Sequence, residues 1–185
     1  EITSFTPGGE DRFESVDWSP DGSRIVIGGD EDMWVYETDT WTQNRTRNTN
    51  RGAINAIAWS PDGHSIVVCE AWASSGARIR MIDYPSMSER WVYSSSTSCN
   101  DVEFSPDSTL VAGAHTYYQS DGASVRVFET YATTPTIIDT LAAARPGGCT
   151  SSGGGNNCGS IYGVDWHPNG LYIISAHGRN DEGVY

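Results

Sequence analysis

Lysine is absent from the 185 residues, and all eleven basic side chains are arginine. That removes Schiff-base chemistry on an ε-amine and the phosphate-binding loop that depends on its Lys. Long apolar runs are also missing. Nothing approaches the roughly 18 consecutive apolar residues of a membrane span, so no membrane insertion is expected. Positive charge is scarce: 24 Asp and Glu leave a formal net charge of −13 at pH 7. This acidic balance argues against nucleic acid and anionic membranes, whose binding proteins carry basic patches. It fits salty surroundings or a genomic base bias. No signal-peptide pattern opens the chain, and a trimmed mature chain would show none. Asn44-Arg45-Thr46 matches a glycosylation acceptor, a motif common by chance. No stretch carries a long apolar stripe at helical spacing, and no Gly-x-Ser-x-Gly elbow holds the serines for nucleophilic catalysis.

What is present is a phrase that returns four times. It stands as Trp18-Ser19-Pro20-Asp21-Gly22, Trp59-Ser60-Pro61-Asp62-Gly63, Phe104-Ser105-Pro106-Asp107-Ser108 and Trp166-His167-Pro168-Asn169-Gly170. Before each phrase the apolar residues alternate, as in Val16-Asp17-Trp18, which is the period of a half-buried strand. Within it, Pro pre-sets one backbone angle, Asp can bond its own backbone, and Gly takes the left-handed position. Ser108 in that position predicts a slightly strained turn. Second strands are expected over Arg24–Ile27, Ile66–Cys69, Leu110–Gly113 and Tyr172–Ser175, and third strands over Met33–Tyr36, Ile79–Asp83 and Val125–Glu129. Weaker fourth strands fall at Thr42–Thr46, Ser88–Tyr93 and Thr136–Leu141. The aromatic landmarks are spaced by 41, 45 and 62 residues. Four strands per repeat of about 40 to 45 residues is the period of a propeller blade.

The chain resembles the WD-repeat β-propellers over nearly its whole length. The third unit is closest, with Asp101-Val102-Glu103-Phe104-Ser105-Pro106-Asp107, Leu110-Val111-Ala112-Gly113-Ala114 and Ser124-Val125-Arg126-Val127-Phe128-Glu129. The signature Trp-Asp pair stands here as Tyr36-Glu37, Ile82-Asp83 and Phe128-Glu129, and the usual Gly-His pair is missing, so the family's hydrogen-bonded tetrad is not carried over. A TolB-like propeller is the subfamily alternative. The expectation is an all-β fold in one domain spanning residues 1–185. Its blades would lie at about 10–50, 51–96, 97–143 and 160–185, with 1–8 as the closing outer strand.

Closure has three readings. Tyr185 joined to Glu1 reads Val-Tyr-Glu-Ile-Thr-Ser-Phe-Thr, parallel to Val35-Tyr36-Glu37-Thr38-Asp39-Thr40-Trp41-Thr42. Two chains exchanging that strand give an eight-bladed homodimer, the favoured reading; a four-bladed ring and a piece of a longer propeller are the others. Four cysteines divide into two groups. Cys149 and Cys158 bracket a glycine-rich loop and are read as a disulfide, which would point to an extracellular or periplasmic setting. Cys69 and Cys99 read as buried thiols, with a second disulfide if neighbouring blades bring them together.

Extra loop length concentrates in the links of one rim, where function is expected because loops are freed from packing. The binding candidates there are Asp30, Glu31, Asp32, Glu70, Trp72, His115, Tyr117, Tyr118, Asp121, His177 and Arg179. Aromatic hot-spot residues among carboxylates suit a protein or peptide partner of basic character. His115, His177 and Glu70 could converge on a metal, and the two acidic turns on calcium, but neither has dedicated ligand spacing; no metal, cofactor or catalytic residue is expected. The reading is a non-enzymatic scaffold that binds through its rim and self-associates by strand complementation. The alternative is a propeller hydrolase or metal-dependent enzyme with its site at the channel mouth.

Overall fold

The computed structural model describes residues 4, 7, 12–49, 52–73, 76–116, 124–142, 160–178 and 183–184. Alternating apolar residues and tight turns produce strands throughout, and among the described residues there is no helix. None is therefore long and apolar enough to cross a membrane. The strands are β1 (Phe13–Trp18), β2 (Arg24–Gly29), β3 (Asp32–Glu37), β4 (Gln43–Asn48), β5 (Ile54–Trp59), β6 (Ser65–Ala73), β7 (Gly76–Asp83), β8 (Ser88–Ser95), β9 (Cys99–Phe104), β10 (Leu110–His115), β11 (Ser124–Glu129), β12 (Ile137–Ala142), β13 (Ser160–Trp166), β14 (Ile173–Gly178) and β15 (Gly183–Val184). They form three four-stranded antiparallel meanders, β1 to β4, β5 to β8 and β9 to β12, and a three-stranded one, β13 to β15. These are four propeller blades. Adjacent sheets touch in chain order through their first strands, β1 with β5, β5 with β9 and β9 with β13.

The repeated phrase builds the same turn each time. The Ser60 hydroxyl donates to Asp62 Oδ1 at 2.6 Å and accepts the Ser65 N–H at 2.8 Å, while Gly63 N–H closes on the Ser60 carbonyl at 2.8 Å. Ser19 and Asp21 make the same set, as do Ser105 and Asp107. The glycines sit at φ of 69°, 78° and 72° for Gly22, Gly63 and Gly170, and Ser108 adopts 64° in the third turn. A side chain at that φ carries a steric cost, as expected. Ser108 has a compensating bond, because its hydroxyl accepts the Asp62 N–H at 3.0 Å and ties the third turn to the second.

Apolar faces meet between the sheets. Val26, Met33 and Val35 of the first sheet pack with Ile54, Ile57, Trp59, Ile66 and Val68 of the second. Cys69, Ile79, Met81 and Trp91 then pack with Cys99, Val102, Phe104 and Phe128 across the next seam, and Ala112, Ala114, Val125 and Val127 pack with Ile161, Val164 and Trp166 across the last. A Cβ on Gly28 would lie 2.6 Å from Ile54 Cγ2, so glycine there sets how closely the first two sheets approach. One expectation is corrected. Cys69 and Cys99 are joined in a disulfide rather than standing as separate thiols, because the middle of β6 and the start of β9 face one another with Cα atoms 5.6 Å apart. Cys149 and Cys158 lie outside the described residues.

Candidate functional site

The rim candidates divide by where their strands hold them. Asp30 and Glu31 form the turn between β2 and β3, and Asp32 opens β3 opposite Asn48. The Glu31 carbonyl accepts both the Thr49 N–H at 2.8 Å and the Thr49 hydroxyl at 3.0 Å, which anchors that acidic turn to the end of β4. His177, on β14, is half-buried with Nε2 2.9 Å from the Ser175 hydroxyl. Trp72 lies in β6 but its side chain is outside the described part of the structure, and Tyr117, Tyr118, Asp121 and Arg179 are outside it altogether.

Two candidates face inward. Glu70 is 1% exposed and accepts from Arg80 through both carboxylate oxygens, at 2.6 and 3.3 Å. Burial opposes the Arg80 charge, but Glu70, and then Glu89, outweigh it and hold the guanidinium above its ordinary pKa. His115 is also 1% exposed, with Nδ1 3.2 Å from the Thr97 hydroxyl and its ring edge-on to Tyr93. Burial first, and the Arg126 charge second, lower its pKa to about 3. The imidazole is thus neutral at physiological pH and enclosed by protein. Neither side chain presents itself to a partner as a surface residue does. Among the described residues no group of three or more His, Cys, Asp or Glu could hold a metal ion.

A second set of polar residues, not singled out by sequence reasoning, stitches blade to blade. Asp17 Oδ1 accepts its neighbour Trp18 N–H at 2.8 Å, and its Oδ2 accepts the Trp59 N–H of the second sheet at 2.7 Å. Ser15 accepts the Ile57 N–H at 3.0 Å beside it. Asp101 repeats the device between the third and fourth sheets, holding Val102 N–H at 3.0 Å and Val164 N–H at 2.9 Å. Asn55 and Asn100 complete the seams by donating to the Cys99 and Ile161 carbonyls at 2.9 and 2.7 Å. The available signal was a carboxylate next to an aromatic or β-branched residue on the first strand of a unit.

The fourth sheet carries the same latch with one hand empty. Asp165 Oδ1 holds the Trp166 N–H at 2.7 Å as Asp17 holds Trp18, but Asp165 Oδ2 has no hydrogen-bond partner among the described residues. Its neighbours on that sheet are exposed apolar side chains, with Tyr162 57%, Tyr172 66% and Ile174 48% accessible. The first sheet shows the complement. Trp18 is 53% exposed and Val16 57%, whereas the equivalent Trp59 and Ile57 are buried against the preceding sheet at 5% and 6%. A cavity of about 320 Å³ lined by Phe13, Val16, Ile25 and Ile27 marks that face.

These meanders, turns and seams define a WD-repeat type β-propeller. A family profile described as "Eukaryotic translation initiation factor eIF2A" matches residues 8–131, and one described as "WD domain, G-beta repeat" matches residues 147–182. The chain belongs to the eIF2A family. No curated protein matches it. Among solved structures it is similar to the β-propeller domain of Cps50 (Swd1) from Myceliophteria thermophila, with TM-score 0.75 and 12% identity over 95% of this chain and 51% of that one. It is also similar to a chain of the hydrazine synthase of Kuenenia stuttgartiensis, with TM-score 0.71 and 20% identity over 87% and 48%. A chain of a mitotic checkpoint complex matches with TM-score 0.70 and 14% identity over 93% and 47%. The chain therefore spans about half the length of the structures it matches.

Proposed function

We propose that this chain is a non-enzymatic scaffold, which presents a loop-rich rim to a protein or peptide partner and completes its ring by associating with a second copy. Sheets packed on sheets leave the strands no freedom, whereas the links between them are free to vary, so recognition belongs to the links. The acidic turn at Asp30, Glu31 and Asp32, on a chain of net charge −13, suits a basic peptide. Trp72, Tyr117, Tyr118, Asp121, His177 and Arg179 belong to the same proposed surface; Glu70 and His115 support it from beneath. A place for this chain in translation initiation, which the family's name carries, is part of the same proposal.

The observation that carries the self-association is the vacant latch at Asp165. Three features of the first interior seam recur at the outward faces of the first and fourth sheets: a carboxylate oxygen without an amide partner, an exposed Trp at the position that is elsewhere buried, and apolar neighbours around it. Large exposed apolar faces mark interaction sites in soluble proteins. Docking the fourth sheet of one copy on the first sheet of another, twice over, gives a two-fold ring with no open face.

Light scattering after size exclusion tests this directly. The wild-type chain is expected at the mass of two chains across a dilution series, and Asp165→Ala, at an exposed position, at that of one with an unchanged circular-dichroism spectrum. A one-chain mass for the wild type overturns the self-association and leaves the rim to be tested separately. For the rim, peptides selected on the immobilised chain are expected to be rich in Arg and Lys. Their affinity should fall about tenfold or more on charge removal at Asp30, Glu31 and Asp32 together. Selection of peptides without basic character would sink that part.

A further inference from the structure

Arginine is the chain's only permanent cation, and most of its copies are spoken for. Arg24 pairs with Glu37, Arg90 with Asp83 and Arg12 with Glu14. Three others, Arg47 at the end of β4 and Arg78 and Arg80 two residues apart on β7, line one cleft of about 480 Å³ between the first and second sheets. Residues two apart on a strand share a face, which is what brings Arg78 and Arg80 together. Thr49, Glu89 and Ser94 line the same space.

Two of the three guanidinium groups are committed. Arg80 holds Glu70 with two hydrogen bonds and Glu89 with a third. Arg47 donates to the Met87 carbonyl and reaches Glu89 Oε2 at 3.4 Å, and its Nε–H is buried with no acceptor. Arg78 is half-buried and makes no hydrogen bond or ion pair among the described residues. Ser94, opposite Arg78 across the β7–β8 ladder, likewise has an uncommitted hydroxyl. Donors outnumber acceptors here, and a partly desolvated guanidinium without an anion is a costly thing to keep.

From this geometry we propose that the cleft is a carboxylate-binding site, in which Arg78 grips the carboxylate as a bidentate fork and Ser94 supplies a further donor. The charge count selects the ligand. Three Arg against Glu89 in the lining and the buried Glu70 beneath Arg80 leave one positive charge, which one carboxylate neutralises, whereas a phosphate dianion adds negative charge beside the acidic turn that Asn48 and Thr49 hold at the edge of the cleft. Planar guanidinium and planar carboxylate also match in shape. The carboxylate can belong to a free organic acid or to the end of a peptide. The cleft adjoins the acidic turn of the rim through Asn48 and Thr49, but its own test does not depend on rim binding or on ring closure.

The test follows the Arg Nε–Hε resonances while the protein is titrated with acetate, with a hexapeptide bearing a free C-terminal carboxylate, with its C-terminal amide, and with inorganic phosphate, all at matched ionic strength against chloride. A saturable shift of the Arg78 signal with acetate is expected. Arg78→Gln should weaken binding, followed on the Arg47 signal, by about tenfold or more, with Arg78→Lys intermediate. Both variants alter a side chain without a protein partner, so both are expected to fold as the parent does. Stronger binding of the peptide acid than of acetate and the peptide amide assigns the site to peptide termini, and equal binding of acid and acetate assigns it to small acids. A shift that only tracks ionic strength, an Arg78→Gln variant that binds as well as the parent, or phosphate binding tighter than any carboxylate overturns the proposal.

Discussion

Glu103 shows how a propeller seam concentrates charge on single side chains. Burial, and then the carboxylates of Asp17, Asp165 and Asp101, raise its pKa from 4.5 to about 7. Between those two values the folded chain binds more protons than the unfolded chain, so stability falls as pH rises through that window, the reverse of an ion-paired carboxylate. Screening by water at this partly exposed group leaves a loss on the order of 2 kcal/mol. Chemical denaturation between pH 4.5 and 8 is expected to show that decline in the parent and a much flatter profile in Glu103→Gln, which should be the more stable of the two at pH 8. Parallel profiles in the two proteins would assign the dependence elsewhere. Asp21 behaves oppositely: the Ser19 hydroxyl, with the Ser23 N–H and hydroxyl behind it, lowers its pKa to about 2. The difference lies in whether donors or other carboxylates surround the group, and sequence position alone does not reveal that.

Among the strands and turns, much was legible beforehand. The Ser-Pro-Asp-Gly phrase specifies its own hydrogen bonds within six residues, and the alternation on either side needs no distant partner, so the expected second, third and fourth strands of the described blades are found with their ends moved by a few residues, whereas the closing strand expected at 1–8 lies almost wholly outside the described residues. β6, for example, runs through Ala73 rather than stopping at Cys69. Pairings between sheets were not legible, because they depend on how far each blade turns against the next. That is why Cys69 and Cys99 read first as buried thiols, with a bridge left to whether neighbouring blades brought them together, and why Glu70 read as a rim carboxylate although Arg80, ten residues on, claims it in the interior. The bridge closes a loop across 30 residues of chain. Such a loop is worth about 3.6 kcal/mol through the entropy of the unfolded chain. Cys69→Ala combined with Cys99→Ala should therefore unfold at lower denaturant by about that amount, and the parent under reducing conditions should behave similarly. An unchanged midpoint in both would mean the bridge contributes nothing to stability.

Taken together, the blades are joined among the described residues to their neighbours in chain order, by apolar seams and by the Asp, Ser and Asn side chains that cross them. Such an arrangement behaves like a row of coupled units, in which each unit's stability depends on how many sides are covered. The two inner sheets are covered on both sides and share the Cys69–Cys99 bridge, whereas the first and fourth each expose a face. Native-state hydrogen exchange on the single chain is expected to show the amides of β6 and β10 as the slowest and those of β14 among the fastest. A uniform protection pattern in the isolated chain would contradict this order.

The empty oxygen of Asp165 then acquires a kinetic meaning. A seam whose acceptor is already oriented by its own backbone N–H adds a sheet without first having to arrange the hydrogen bond that holds it. In the proposed ring, closure at that face would thus start from an acceptor already aligned, as the Asp17 carboxylate is between the first two sheets.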